Sequence, residues 1–153
     1  MKENNWFDPF YIQDHLSNDE KEIQINVREF CNKELRPDVV KNNKEQKFNQ
    51  NLYLKFGAMG ILGQTVKTHG GSGTSNLAYG LVTYEVEKID SSYRSSISVQ
   101  SSLAIHPINK FGSEEQKDRF LPDLIKGKKI GCFGLTESEA GSDPSSMKTS
   151  YKK

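Results

Sequence analysis

Cysteine is scarce in this chain. Cys31 and Cys132 are the only two among 153 residues, too few for the disulfide framework that small secreted domains use to supplement a thin core. A reducing compartment is therefore expected. An excess of one charge is also missing: 21 Lys and Arg stand against 20 Asp and Glu, a net charge of +1. No broad basic field exists to hold a polyanion, which disfavours nucleic-acid binding. Long apolar runs are absent too. Mean hydropathy is −0.71, and no stretch approaches the roughly 18 apolar residues of a bilayer-crossing helix. The first twenty residues carry Asp8, Asp14, Asp19 and Glu20 and show neither the apolar stretch of a secretory signal nor the Arg-rich pattern of a transit peptide. His15, His69 and His106 are scattered and no Cys-x-x-Cys occurs, so no metal cluster is expected. The glycine-rich run from His69 to Thr74 lacks the Lys-Ser/Thr pair of a phosphate loop, and no Gly-x-Gly-x-x-Gly precedes an evident helix.

What is present suits one hydrophobic core. Hydrophobic residues make up 34%, and a domain of this length buries about 68% of its unfolded surface. Ser17 and Glu20 have capping-box spacing, followed by Ile23, Val27, Phe30 and Leu35 on one helical stripe that Pro37 should stop or kink. Cys31, beside that stripe, reads as an inert core thiol. Residues 41–51 are polar apart from Phe48 and read as a solvated connection or a frayed helical turn. Leu52, Tyr53 and Phe56 form a short apolar face, and Met59, Ile61 and Leu62 should return to the core. Leu77, Leu81, Val82, Val86 and Ile89 follow a 3.6-residue period, widened by Tyr79 and Tyr84. Glu85 and Glu87 point to different faces, and Glu85 reads as solvated.

Pro107 should interrupt the small-residue element of residues 91–105. Ser113 and Gln116 then open another capping box before Phe120, Leu121 and Leu124. After Gly127, residues 129–135 alternate as a strand does, with Ile130, Cys132 and Gly134 on one face and Phe133 and Leu135 on the other. A lone strand needs partners from another part of a longer chain or another subunit. Trp6, Phe7, Phe10 and Tyr11 form an aromatic cluster suited to tethering the terminus or making an oligomer contact.

Two groups of residues carry chemistry. Arg94 stands among hydroxyls, and Ser98 lies one turn away on the same helical face. A guanidinium fork with Ser95 and Ser98 can receive a carboxylate, while an ordinary salt bridge is the competing reading. Gly131, Gly134 and Gly141 let backbone approach a planar or phosphorylated group, Thr136 and Ser142 offer directed polar contacts, and an edge strand followed by a tight turn explains the same pattern.

Longer motifs add a resemblance. Tyr93-Arg94-Ser95, Ser98-Val99-Gln100-Ser101-Ser102, His106-Pro107 and Phe111-Gly112-Ser113-Glu114-Glu115-Gln116 are followed by Gly131-Cys132-Phe133-Gly134-Leu135-Thr136-Glu137 and Gly141-Ser142-Asp143-Pro144. On these residues the chain resembles the N-terminal part of the acyl-CoA dehydrogenase flavoproteins, and within them the branch acting on glutaryl-CoA. The resemblance implies a mainly α fold: an N-terminal helical domain over residues 1–127, then the truncated start of a middle β-domain over 128–153, with a helical bundle beyond and a homotetrameric assembly.

By the same resemblance FAD is the cofactor. Phe133, Leu135 and Thr136 border its ring system, with Gly141 and Ser142 near its pyrophosphate. Arg94, Ser95 and Ser98 take the distal carboxylate of the substrate, and Glu87 orients Arg94. Ser138 stands where the family commonly has Pro. The implied reaction converts glutaryl-CoA to crotonyl-CoA and CO2, with electrons passing to an electron-transfer flavoprotein. The general base is a Glu beyond residue 153, so no catalytic residue is assigned here, Glu137 does not replace it, and the isolated chain is expected to be inactive. The setting implied is the cytoplasm of a bacterium or the mitochondrial matrix of a eukaryote. Another short-chain acyl-CoA dehydrogenase and a noncatalytic helical interaction domain are the competing readings.

Overall fold

Ser17 opens the first long helix as its spacing requires. Its hydroxyl accepts the Glu20 N–H at 3.2 Å while the Glu20 carboxylate accepts the Ser17 N–H at 3.0 Å, so two otherwise orphaned amides are satisfied. The computed structural model describes residues 8–152, which places Trp6 and Phe7 of the aromatic cluster outside the described residues. The α-helices are α1 (Ile12–His15), α2 (Asn18–Phe30), α3 (Val39–Glu45), α4 (Leu52–Ala58), α5 (Asn76–Glu87), α6 (Ser91–Ser98), α7 (His106–Phe111) and α8 (Glu114–Ile125). The second capping box, Ser113 with Gln116, starts α8.

Pro37 and Pro107 each follow a widened helical turn, whereas Pro122 lies within α8. A π-helical segment, Cys31–Leu35, follows α2, and the Arg36 N–H reaches back five residues to the Cys31 carbonyl. Pro37 then sits in a short 3₁₀ turn, Arg36–Asp38, and α3 continues, so the proline kinks the path rather than stopping it. The same device corrects the expectation at Pro107. A second π segment, Val99–Ile105, links α6 directly to α7, with the His106 N–H bonded to the Ser101 carbonyl. A proline ring collides with the carbonyl four residues before it in a regular helix, and a widened turn makes room.

The core gathers Leu35, Phe56, Ile61, Leu62, Ile97, Ile105 and Leu121, all fully buried, with Val27, Val82 and Val86. Ile23, Phe30 and Ile89 pack against it as their periods predict. Met59, Leu77 and Tyr84 do not: each is substantially exposed. Gly127 closes α8 at φ +68°, and a Cβ there would fall 1.9 Å from the Tyr53 carbonyl oxygen, so only glycine fits between α4 and α8. Residues 129–135 form no strand among the described residues. The alternation is present, but a ladder needs a second strand, and within this segment Lys129 and Gly131 bond instead to the side chain of Gln100.

Glu85 overturns the expectation of a solvated carboxylate. It is 2% exposed and lies between α5 and α2, accepting Arg28 Nη2 at 2.8 Å, Arg28 Nε at 3.1 Å, Gln24 Nε2 at 2.9 Å and Lys88 Nζ at 3.2 Å. Leu81 and Val82, four and three residues earlier, put it on the buried face. Burial pushes its carboxyl up, and the donors from Arg28, Lys88 and Gln24 outweigh that, leaving it below its ordinary value.

A lowered folded-state pKa contributes stability above the unfolded value of about 4.3, and that stability is lost as pH falls through the folded value. Glu85→Gln is expected to lower stability at pH 7 by about 2 kcal/mol, less than a fully enclosed pair because both cations remain half in water. Urea unfolding at pH 7 and pH 3 should show the difference between variant and unsubstituted chain shrinking on acidification. A constant difference would remove this role.

Candidate functional site

Arg94 is placed by the start of α6. Asp90 caps the helix by accepting the Ser92 N–H at 2.8 Å, which sets Arg94 one turn in and turns it back toward the end of α5. There Arg94 Nε donates to Glu87 Oε2 at 2.7 Å, and Ser91 Oγ donates to Glu87 Oε1 at 2.6 Å. Arg94 Nη1 lies 3.5 Å from Ser98 Oγ, whose hydroxyl also donates to the Arg94 carbonyl at 3.0 Å. Ser95 lies exposed. Hydrogen bonds from Ser91 and Arg94 hold the Glu87 carboxyl below its ordinary value, so it stays an anion beside the guanidinium.

This arrangement brings Arg94, Glu87 and Ser98 together, leaves Ser95 outside it, and forms the salt bridge of the competing reading. It does not use up the cation. Glu87 occupies the Nε edge, and the Nη1/Nη2 edge of the fork keeps donors for a second carboxylate. The Arg94 side chain is 39% exposed, so an acid can reach it.

The second group follows α8. Gly131 donates its N–H to Gln100 Oε1 at 2.8 Å, and a Cβ on Gly131 would stand 2.4 Å from Ala104 Cβ, so the ribbon lies flush on the π segment. Beyond it Phe133, Leu135 and Thr136 are exposed, as are Gly141 and Ser142. An isolated bridge between Glu137 and Ala140 reverses the chain, and Asp143 caps the next turn by accepting the Ser145 N–H at 3.0 Å. The Glu137 carboxylate accepts the amides of Lys148 and Thr149 at 2.8 and 3.0 Å, and bonds from Thr149 and Lys148 lower its pKa. Glu137 is thus a turn-forming residue.

Residues 17–128 match the N-terminal domain of the acyl-CoA dehydrogenases. The chain belongs to the acyl-CoA dehydrogenase family. An acyl-CoA dehydrogenase of Bacillus subtilis is 34% identical over 136 residues, covering 88% of this chain and 36% of that protein. The human mitochondrial short-chain specific acyl-CoA dehydrogenase is 38% identical over 126 residues, covering 82% and 31%. Among solved structures, a glutaryl-CoA dehydrogenase from Mycobacterium smegmatis in complex with FADH2 superposes with a TM-score of 0.88 at 41% identity, covering 92% of this chain and 36% of that one. Butyryl-CoA dehydrogenase from Megasphaera elsdenii superposes at 0.78 with 33% identity, covering 88% and 36%. The chain therefore spans about a third of the length of these acyl-CoA dehydrogenases.

Sequence reasoning missed Gln100 as a site-building residue. The signal was available: Gln100 falls three residues after Ile97 and four before Ala104, all in the buried register of the α6–π path. Cys31 is buried as its place beside the apolar stripe predicts. Cys31 is 1% exposed and burial pushes its pKa up to about 11, whereas Cys132 is exposed on the ribbon. Ellman's reagent on the folded chain should therefore modify one thiol, at Cys132, and reach Cys31 only on unfolding. Equal rates for both would contradict the buried placement of the π turn.

Proposed function

We propose that the protein carrying this chain is an FAD-dependent dehydrogenase of glutaryl-CoA, yielding crotonyl-CoA and CO2 and passing electrons to an electron-transfer flavoprotein. The observation that carries the substrate choice is the Arg94 fork, braced by Glu87 and still open on one edge. A carboxylate entering an apolar acyl pocket without a cation would cost several kcal/mol, and a charge-assisted contact offsets much of that. A plain fatty acyl chain has no use for such a group. The 41% identity and 0.88 TM-score to a glutaryl-CoA dehydrogenase support the same reading.

The residues present suit FAD. Phe133 and Leu135 offer half-exposed apolar surface, and added side-chain carbons at Gly134 or Gly141 would meet nothing within 4 Å, so a planar or phosphorylated group has room to approach. On this reading Phe133, Leu135 and Thr136 hold the ring system, and Gly141 and Ser142 lie at the pyrophosphate. When bound, FAD supplies the acceptor for the hydride leaving the β-carbon. Arg94, with Ser95 and Ser98, fixes the distal carboxylate and so sets which end of the acyl chain lies deepest. Glu137, committed to two amides, does not remove the α-proton. That base comes from outside residues 1–153, as does the rest of a homotetrameric assembly.

The human and Megasphaera relatives favour a second reading, a short-chain acyl-CoA substrate without the distal acid. Arg94→Gln decides between them. In the flavin-loaded protein, kcat/KM for glutaryl-CoA is expected to fall at least about 30-fold, or about 2 kcal/mol, with butyryl-CoA turnover changed far less. Equal losses on both substrates, with folding unchanged, would sink the glutaryl assignment.

A further inference from the structure

Gln100 is fully buried, and its amide makes three bonds that fix its orientation: Nε2 donates to the Leu124 carbonyl at 2.8 Å and the Lys129 carbonyl at 2.9 Å, and Oε1 accepts the Gly131 N–H at 2.8 Å. Flipping the amide would set oxygen against two carbonyls and nitrogen against an N–H, so one orientation is possible. The pairing to residues 129 and 131 is the one a residue of a parallel strand makes with its neighbour, accepting from one peptide and donating to the carbonyl two residues earlier. One side chain thus stands in for a strand at the root of the ribbon. The third bond ties the same amide to the end of α8.

We propose that Gln100 is a positioning residue for the flavin site, clamping the ribbon that carries Phe133, Leu135 and Thr136 to the helical path that carries Arg94 and Ser98. The proposal rests on the flavoprotein reading above. Gln100 sits in the π segment immediately after α6, two residues beyond Ser98. The close approach of Gly131 to Ala104 presses the ribbon onto that segment at the same point. A hydrogen-bond clamp and a steric seat therefore act on one peptide. A shift there moves every ribbon residue beyond it relative to Arg94.

Two substitutions test this by different physical routes. Gln100→Met keeps the volume and removes all three bonds. Gly131→Ala leaves Gln100 in place and pushes the ribbon off Ala104, and adding Ala104→Gly should restore the seat. In the chain itself, hydrogen exchange at the Gly131 amide is expected to quicken about tenfold or more in Gln100→Met, while the α2 and α5 amides keep their protection. In the flavin-loaded protein, both single variants should weaken FAD binding about tenfold, equivalent to about 1.4 kcal/mol, and shift the visible flavin band, with the band returning in the Gly131→Ala/Ala104→Gly pair. Loss of thermal stability with unchanged flavin affinity and spectrum in both single variants would overturn the proposal while leaving the flavoprotein reading intact. If the unsubstituted protein takes up no flavin, that reading falls and the proposal with it.

Discussion

A helix that must pass a proline without breaking is the constraint on which the arrangement depends. Pro107 lacks an N–H and its ring intrudes on the preceding turn, and the π segment Val99–Ile105 supplies the extra width. Widening changes which residues face inward. Gln100, Ser101, Ala104 and Ile105 all lie buried in that segment, so a polar amide enters the core beside Ile105 and the seat for Gly131 forms on Ala104. A break at Pro107 would separate the Arg94 end of this path from α7 and α8, and with it from the segment that follows α8.

Much of the helical architecture was legible because it rests on local rules. The two capping boxes announce α2 and α8, and the apolar periods place Val27, Leu35, Val82, Val86 and Leu121 in the core. What escaped depended on partners distant in sequence. Glu85 looked solvated because its donors Gln24 and Arg28 lie about sixty residues away, although its position three residues after Val82 put it on the apolar face. Residues 129–135 read as a strand from their alternation, yet alternation describes the two faces of a segment and carries no information about who pairs with its backbone. At Arg94 the sequence suggested either a ligand cation or a salt bridge; the structure shows the salt bridge to Glu87 and leaves the guanidinium 39% exposed.

Two buried polar devices hold the helices in register by opposite means. Glu85 is a charge that needs cations, and Arg28 and Lys88 satisfy it from the water side while Gln24 does so from within. Its contribution is tied to ionisation and so to pH. Gln100 is neutral and is satisfied entirely by main-chain groups, which makes its geometry independent of pH and of salt. The first fixes α2 against α5; the second fixes the end of α8 and the ribbon against the π segment. An error at either site leaves an uncompensated polar group in the core, which costs more than the bond itself is worth.

On the proposed reading, the pairing of Arg94 with Glu87 bears on substrate choice through electrostatics rather than shape. A free guanidinium on a helix samples many rotamers, and one braced at Nε presents its outer edge in a fixed direction, so less entropy is lost when a second carboxylate arrives. The brace has an opposing effect, because Glu87 already neutralises part of the charge and repels an incoming acid. Which effect wins depends on distance and exposure. Glu87 is 44% exposed, so water screens its repulsion, while an acyl acid bonded directly to Nη1 and Nη2 feels the cation at contact range. On the proposed reading the net bias favours an acyl group whose single distal carboxylate is held at short range, and it weakens as the surroundings of Arg94 become wetter. On the same reading, a protein that closed over this edge would sharpen a preference for an acid-tipped chain without any change in the residues that touch it.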